Sequence, residues 1–387
     1  MANTLTNLIP DIYAALDVVS RELVGFIPAV TRDSTADRVA INQNLRIPVA
    51  PSNTAGGDIT PAMAFPSRAD QTIGYKTLTI TKQRFYPFSW TNEERYSVDQ
   101  GPGAMTINQY QIAQAVRGLV NEIELDIANA ANLGASRATG TAGTTPFAST
   151  VADSANLRKI LDDNGAPASD RHLIIDTAAG AKLRTLTQLT KANEAGTSSV
   201  LTDGTLINLA GFSIRESAQV PTSTAGAMAS ATSTSAAFTV GQTVIPLATA
   251  GTGVVAAGDI ITFANDANQY VIASVSFAGS NPASGDSITL VAPGLRKAQG
   301  VATRAITVVA AATRNVGFSR NALLLATRLP VTDNDDIARF RETITDGLSG
   351  ISLEFVKWPG QDMSTYHVRA CWGVLNVKPE HTALLLG

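Results

Sequence analysis

The sequence predicts an α+β chain in which one long amphipathic helix organises several strand-rich segments. Three observations carry this. Residues 104–133, "AMTINQYQIAQAVRGLVNEIELDIANAANL", place Ile112, Val116, Leu119, Val120, Ile123 and Ile127 at helical spacing. Residues 37–88 hold two alternating runs, "DRVAINQNLRIPVAP" and "YKTLTITKQRFYPF", separated by the turn-rich "SNTAGGDITPAMAFPSRADQT". Residues 258–275, "GDIITFANDANQYVIASV", set two strand-like runs around an Asn-Asp-Ala-Asn cluster, behind a Ser/Thr/Ala/Gly-rich collar at residues 222–243.

Taken in chain order, residues 10–24 predict an amphipathic helix with Ile12, Leu16, Val19 and Leu23 on one face and Pro10 in its first turn. The two-stranded excursion of residues 37–88 is too thin to own a core, so it must lie on something else. Ordering such an arm costs roughly 1–2 kcal/mol of backbone entropy per residue, which a neighbour's surface has to offset. The long helix would run roughly 45 Å at 1.5 Å per residue. Its polar positions, Gln114, Arg117, Asn121, Glu122 and Glu124, are read as the solvent side. "RHLIIDTAAGAKLRTLTQL" then reads as a buried strand feeding a helix, and "GTLINLAGFSIRESAQVP" as strand-turn-strand.

The central module, to about residue 310, offers three apolar faces: Val271, Ala273, Val275 and Phe277; Ile288 and Leu290; Val244, Ile245 and Leu247. Three short faces of this kind predict a small barrel, with the collar as a flexible hinge. "NVGFSRNALLLATRLP" resumes the regular pattern, and "GISLEFVKW" and "TYHVRACWGVLNVKP" predict two β runs joined by a Pro-Gly tip.

Charged residues make up 16% of the 387-residue chain, against roughly 25% in an average soluble domain. A surface poor in charge suits a protein covered by its neighbours, since association then desolvates few ions. The formal net charge is −3 and no Lys/Arg block occurs, which argues against tight nucleic-acid binding. The single cysteine, Cys371, excludes an internal disulfide and reads as a small buried hydrophobe. The first residues show no basic segment with a cleavage site, and no apolar run approaches the roughly 18 residues of a membrane span. The expectation is a protein made and used in a cytoplasm.

Chemistry is sought and not found. His172, His367 and His381 are scattered and read as structural. "VTDNDD" at residues 331–336 lacks the glycine and distal glutamate of a calcium loop and reads as a solvated turn. Gly251, Gly253 and Gly258 do not form a dinucleotide fingerprint, and no nucleophile elbow or triad suggests itself. The aromatic stretch "RFYPFSW" at residues 84–90 and Trp358 read as packing. The expected catalytic, cofactor-binding and metal residues are therefore none.

The order of these segments resembles the major capsid (coat) proteins of tailed bacteriophages. "RHLIIDTAAGAKLRTL" followed by "LTDGTLINLAGFSIRESAQVP" is similar to the strand, helix and turn of that family's axial domain. "NVGFSRNALLLATRLP" is similar to its continuation, and "TYHVRACWGVLNVKPEHTALL" to the closing strand. The pattern breaks after Pro221 and resumes near Asn315. A gap at that place resembles the coat proteins of short-tailed Salmonella phages, which carry an inserted β-barrel.

The resemblance implies an N-terminal arm (1–36), an extended β arm loop (37–88), a peripheral domain (89–150 and 341–387), an axial domain (151–221 and 314–340) and an inserted barrel (222–313). It implies a non-enzymatic shell subunit forming hexamers and pentamers of itself in a virion. A scaffolding protein and a portal would be assembly partners, and double-stranded DNA would be enclosed without specific binding. Lys76 and Lys82 lie on the arm, and no crosslinking role is assigned to them. The rival expectation is a bacterial surface-layer or adhesin-like structural protein.

Overall fold

The computed structural model describes residues 22–49, 73–99, 104–191, 200, 203–206, 208–248, 251–332, 337–346 and 349–387. The helix expected at 10–24 therefore lies outside the described residues, except for 22–24, which carry no regular structure. The arm tip at 52–69 and residues 333–336 of the acidic turn lie outside them as well.

Strand β1 (Thr31–Val39) precedes the hairpin β2 (Asn44–Val49) and β3 (Gly74–Thr79), then β4 (Lys82–Thr91). Helices α1 (Asn92–Asp99) and α2 (Ala104–Leu133) follow. Next come β5 (Arg137–Gly140), α3 (Ala152–Asp163), β6 (Arg171–Ile175), α4 (Thr177–Thr185), α5 (Thr187–Thr190) and β7 (Phe212–Glu216). The central segment holds β8 (Thr222–Ser223), β9 (Val244–Pro246), β10 (Ile260–Phe263), β11 (Gln269–Ser276), β12 (Ser287–Leu290) and β13 (Ile306–Val308). The chain closes with β14 (Ala312–Ser319), β15 (Leu323–Pro330), β16 (Phe340–Thr345), β17 (Ser352–Gly360), β18 (Met363–Asn376) and β19 (Thr382–Leu386).

The long helix expected from its apolar stripe is α2, with the same bounds. Val116, Leu119, Val120, Ile123 and Ile127 all join the main core, where they meet Val368, Ala370 and Trp372 of β18 and Leu384 of β19. Around β18 a six-stranded sheet is built. β4 pairs with residues 363–372 of β18, while β17 and β15 share its opposite edge. β16 extends β17, and β1 runs parallel to β15.

A second sheet runs in the order β13-β10-β11-β5-β19-β14-β6-β7. Ile174, Val316 and Leu384 point to the main core, while Leu173, Ile175 and Leu385 point to a second core under α3 and α4. Both faces being covered, every residue of β6 is buried, and Leu173, Ile174 and Ile175 read as a short apolar run. Asp176 then ends the strand and starts α4, its carboxylate accepting from Ala178 N at 3.2 Å and Ala179 N at 3.3 Å.

The central segment has its own core, including Met228, Phe238, Ile245, Leu247, Phe263, Tyr270, Ile272 and Ile288. The collar is therefore no hinge, because Met228, Ala231 and Phe238 are core residues of this cluster. Antiparallel pairing runs β9-β12-β11-β10-β13. Collar residues then bond to both ends of that series. Ile306 N donates to Ala231 O at 2.9 Å and Ser233 N to Arg304 O at 2.9 Å; Thr234 N donates to Pro246 O at 3.0 Å and Ala248 N to Thr232 O at 2.9 Å.

The expected face of β11 is also corrected. Tyr270 and Ile272 fill the segment's core, while Val271 turns to the main core. A register shift between Ile272 and Ser274 leaves Ala273 exposed and brings Val275 and Phe277 back against the segment's core. One extra residue in a strand reverses the side of everything after it. Val244, expected inside, is 47% exposed.

Candidate subunit-contact surfaces

The arm leaves the body as the β2–β3 hairpin, registered from Asn44 opposite Thr79 to Val49 opposite Gly74. Its root is anchored: Leu78 and Ile80 are buried with Val39, Ala326 and Cys371, and the Lys76 Nζ donates to Val377 O. Farther out the cover stops, with Tyr75 61% and Ile73 70% exposed. A two-stranded ribbon is marginal alone in water, so its uncovered apolar side chains point to a surface that another chain supplies.

The acids of α2 are paired within the chain, against the reading of Glu122 and Glu124 as solvent-facing. Lys82 Nζ donates to Glu122 at 3.1 Å and Asp126 at 2.8 Å, and Arg84 Nε donates to Glu122 at 3.0 Å. Asp126 also accepts from the buried Trp372 indole at 2.7 Å. Glu124 has no exposure. Its carboxylate accepts from Gly25 N and Phe26 N at 2.6 Å each, Ile27 N at 2.9 Å and Ser217 Oγ at 2.9 Å. Burial raises its pKa, with the four donors opposing that rise. Two turns toward the start of α2, Arg117 holds Glu22 down at about 2, with Asn121 helping. The segment at residues 22–30 is thus clasped to α2 by two carboxylates.

The sheet face turned away from α2 is different in character. Glu354, 1% exposed, accepts from Arg38 Nη2 and Arg369 Nε at 2.6 Å each, with Arg341 Nη1 at 3.6 Å. Burial, then the like charges of Arg369 and Arg38, lower the Arg341 pKa. Beside this cluster Phe85 stacks on His367 at 4.7 Å, and His367 lies 6.2 Å from Trp358. Arg341 and Arg369 stand 5.5 and 6.0 Å from the Trp358 ring. Sequence reasoning took Trp358 and the "RFYPFSW" stretch as packing. That holds for Trp90, which is buried and donates to Gln111 at 2.7 Å, but Phe85 is 56% exposed.

The remaining chemistry-bearing residues sit apart. His172 lies 3.0 Å from Asp170, and burial lowers the pKa of His172, His367 and His381 alike. Burial pushes the Cys371 thiol up to about 11, so it is a poor nucleophile near neutrality. Among the described residues no group of three His, Cys, Asp or Glu side chains could hold a metal. A cavity of about 160 Å³ is lined by hydroxyls such as Thr141, Thr144 and Thr150, and by Asp153. Asp153 is already engaged, accepting from Phe147 N at 2.7 Å. No helix among the described residues is long and apolar enough to cross a membrane.

Against this geometry, a chain from Mycobacterium phage Che8 aligns with 99% of this chain and 98% of its own length, at 13% identity and a TM-score of 0.51. A chain of the bacteriophage PhiM1 mature capsid aligns over 96% and 89%, at 12% identity and a TM-score of 0.49. One from the capsid of cyanophage P-SCSP1u aligns over 96% and 91%, at 13% identity and 0.47. The neighbours in fold are phage capsid chains. No family model matches the sequence, and no curated protein does. At 13% identity the likeness to the Che8 chain is one of fold.

Proposed function

We propose that this chain is the major capsid subunit of a tailed phage, a structural protein that builds an icosahedral shell of hexamers and pentamers around double-stranded DNA. The observation that carries the reading is the alignment of fold over 99% of this chain and 98% of the Che8 phage chain. The partly uncovered arm agrees with it, as does the low charge.

The domain plan goes with the proposal: a peripheral domain around α2 and β16–β18, an axial domain around β6, β14 and α3–α4, and an inserted barrel at 222–313. The separate core of that segment supports the last item, as do the collar hydrogen bonds that join β13 to β9. Pairing of β11 with β5 at Gln269–Ala138 and Tyr270–Arg137 would seat the barrel on the second sheet. A scaffolding protein and a portal are the proposed assembly partners, with synthesis in the bacterial host cytoplasm and the finished protein in the virion. The enclosed DNA is not gripped: the net charge is −3 and the acids of α2 are paired internally.

The test is sedimentation of the purified full chain over a range of concentration, with and without scaffold. A boundary of shell size supports the proposal. Monomers and small oligomers under every condition would contradict it.

A further inference from the structure

His172 is a buried titratable side chain at the place where the segment at residues 22–30 meets the second sheet. It is 4% exposed. In the pairing of β6 with β14 it stands opposite Phe318. The Phe318 ring lies 6.1 Å from the imidazole and stacks on Phe26 at 6.4 Å. A row of rings, His172–Phe318–Phe26, therefore leads from β6 to the segment. The same corner grips that segment through polar bonds. Arg320, on the turn after β14, donates from Nη2 to Pro28 O at 3.4 Å and accepts at its carbonyl from Thr31 Oγ1 at 3.1 Å. Its own amide donates to Asp170 O at 3.1 Å.

Three charged groups face the imidazole: Asp170 just before β6, Arg320, and Arg215 on β7. β14 and the segment at residues 22–30 bring the aromatic rings. Asp170 Oδ1 lies 3.0 Å from Nε2. An ionised carboxylate can only accept, so Nε2 carries the proton of the neutral ring and Nδ1 is the bare acceptor. Nδ1 is buried and has no hydrogen-bond partner among the described residues. A second proton would have to go there, making a buried donor without an acceptor and a cation that faces two guanidiniums. The one carboxylate at hand is already shared, since Arg320 Nε lies 3.4 Å from Asp170 Oδ2. Burial holds the His172 pKa below its usual value, with Asp170 opposing and Arg320 and Arg215 adding to the fall.

We propose that His172 is an acid-sensitive latch for the segment at residues 22–30: the neutral ring keeps Phe26 and Pro28 docked, and protonation of Nδ1 releases them. A charged ring leaves the aromatic row and draws Asp170 away from Arg320, so the stacking and the polar grip loosen together. The latch is a property of the single subunit, whether or not copies build a shell.

The test is amide hydrogen exchange of residues 22–30 in the full chain, parent against His172→Gln, between about pH 7.5 and about pH 5. Rates are corrected for the intrinsic pH dependence of exchange. Gln can donate to Asp170 but cannot take a charge. Glu124 holds the same segment and titrates in both proteins, so the difference between them reads His172. A released imidazole titrates near about 6.5, so over this range opening in the parent should grow relative to the variant by up to about thirtyfold. A ratio that stays within about twofold would overturn the latch. A second measurement needs no change at His172. The chain has three histidines, and in isotope-labelled protein His172 is the ring signal that survives both His367→Gln and His381→Gln. Its charging should coincide in pH with the loss of protection at residues 22–30. A ring that charges while the segment stays protected, or a segment that opens while the ring stays neutral, would overturn the proposal even if the Gln variant fails to fold.

Discussion

Replacing Glu124 tests the clasp between α2 and the segment at residues 22–30. In Glu124→Ala four donors lose their acceptor: the amides of Gly25, Phe26 and Ile27 and the Ser217 hydroxyl. A buried donor left unsatisfied costs about 1–3 kcal/mol. Removing a carboxylate that burial penalises returns part of this, as does entry of water into the vacated space. A net loss of about 3–5 kcal/mol is expected, a large share of the 5–15 kcal/mol typical of a native domain. At a urea slope of about 1–3 kcal/mol per molar the midpoint should fall by at least about 1 M.

Glu124→Gln keeps the shape and three acceptor contacts, but sets its NH2 against the Ile27 amide if its oxygen takes the Oε1 position. It should lose about 1–2 kcal/mol. The sign with pH follows from the raised pKa of Glu124 in the fold. A raised acid contributes stability that is present below the unfolded carboxylate value and lost as pH rises through the folded one. The gap between parent and Gln variant should therefore narrow as pH rises through that window. The assay is urea unfolding of the subunit at several pH values, followed by circular dichroism. An Ala variant whose midpoint stays within about 0.3 M of the parent, on the same slope range, would refute the clasp. A gap that widens with pH would show that the four donors outweigh burial.

Other expectations concern the arm, the central segment and the thiol. Deleting residues 52–69 should leave a folded subunit that assembles poorly; an unfolded product, or shells as stable as the parent's, would contradict this. Ile272→Asp should unfold the central segment by burying an unpaired charge, while Ala273→Asp, one residue along and exposed, should stay within about 0.5 kcal/mol of the parent in thermal melts. Equal effects of the two would mean that the register shift in β11 is misplaced. Cys371 should resist thiol reagents at pH 8 in the native subunit and react fully in denaturant, since its pKa is about 11 and it is buried.

The features legible in the sequence are those encoded locally. The α2 stripe runs from Ile112 to Ile127, about four turns, too many for its period to be misread. The β6–α4 unit announces itself through the apolar run Leu173, Ile174 and Ile175 with a helical stretch after it. The role of Glu124 is hidden, because an acid at a polar helical position looks solvated until its partners 93 to 99 residues away are folded onto it. The face of β11 was misread for a related reason: a bulge shifts phase without any residue type that marks it. The collar looked like a hinge because its apolar content is sparse, yet Met228 and Phe238 are spaced to plug the open side of a small core. The arginines around Glu354 come from three strands, β1, β16 and β18, with Glu354 itself on β17, and no local pattern brings them together.

Whether copies of this chain form a closed shell is read by electron microscopy of the purified protein. Uniform, closed, icosahedral particles tens of nanometres across are expected, with averaged density filled by repeated copies of this fold and the arm of each lying on a neighbour. Fields of isolated subunits, open sheets or amorphous aggregate, at all concentrations and with scaffold present, would contradict it.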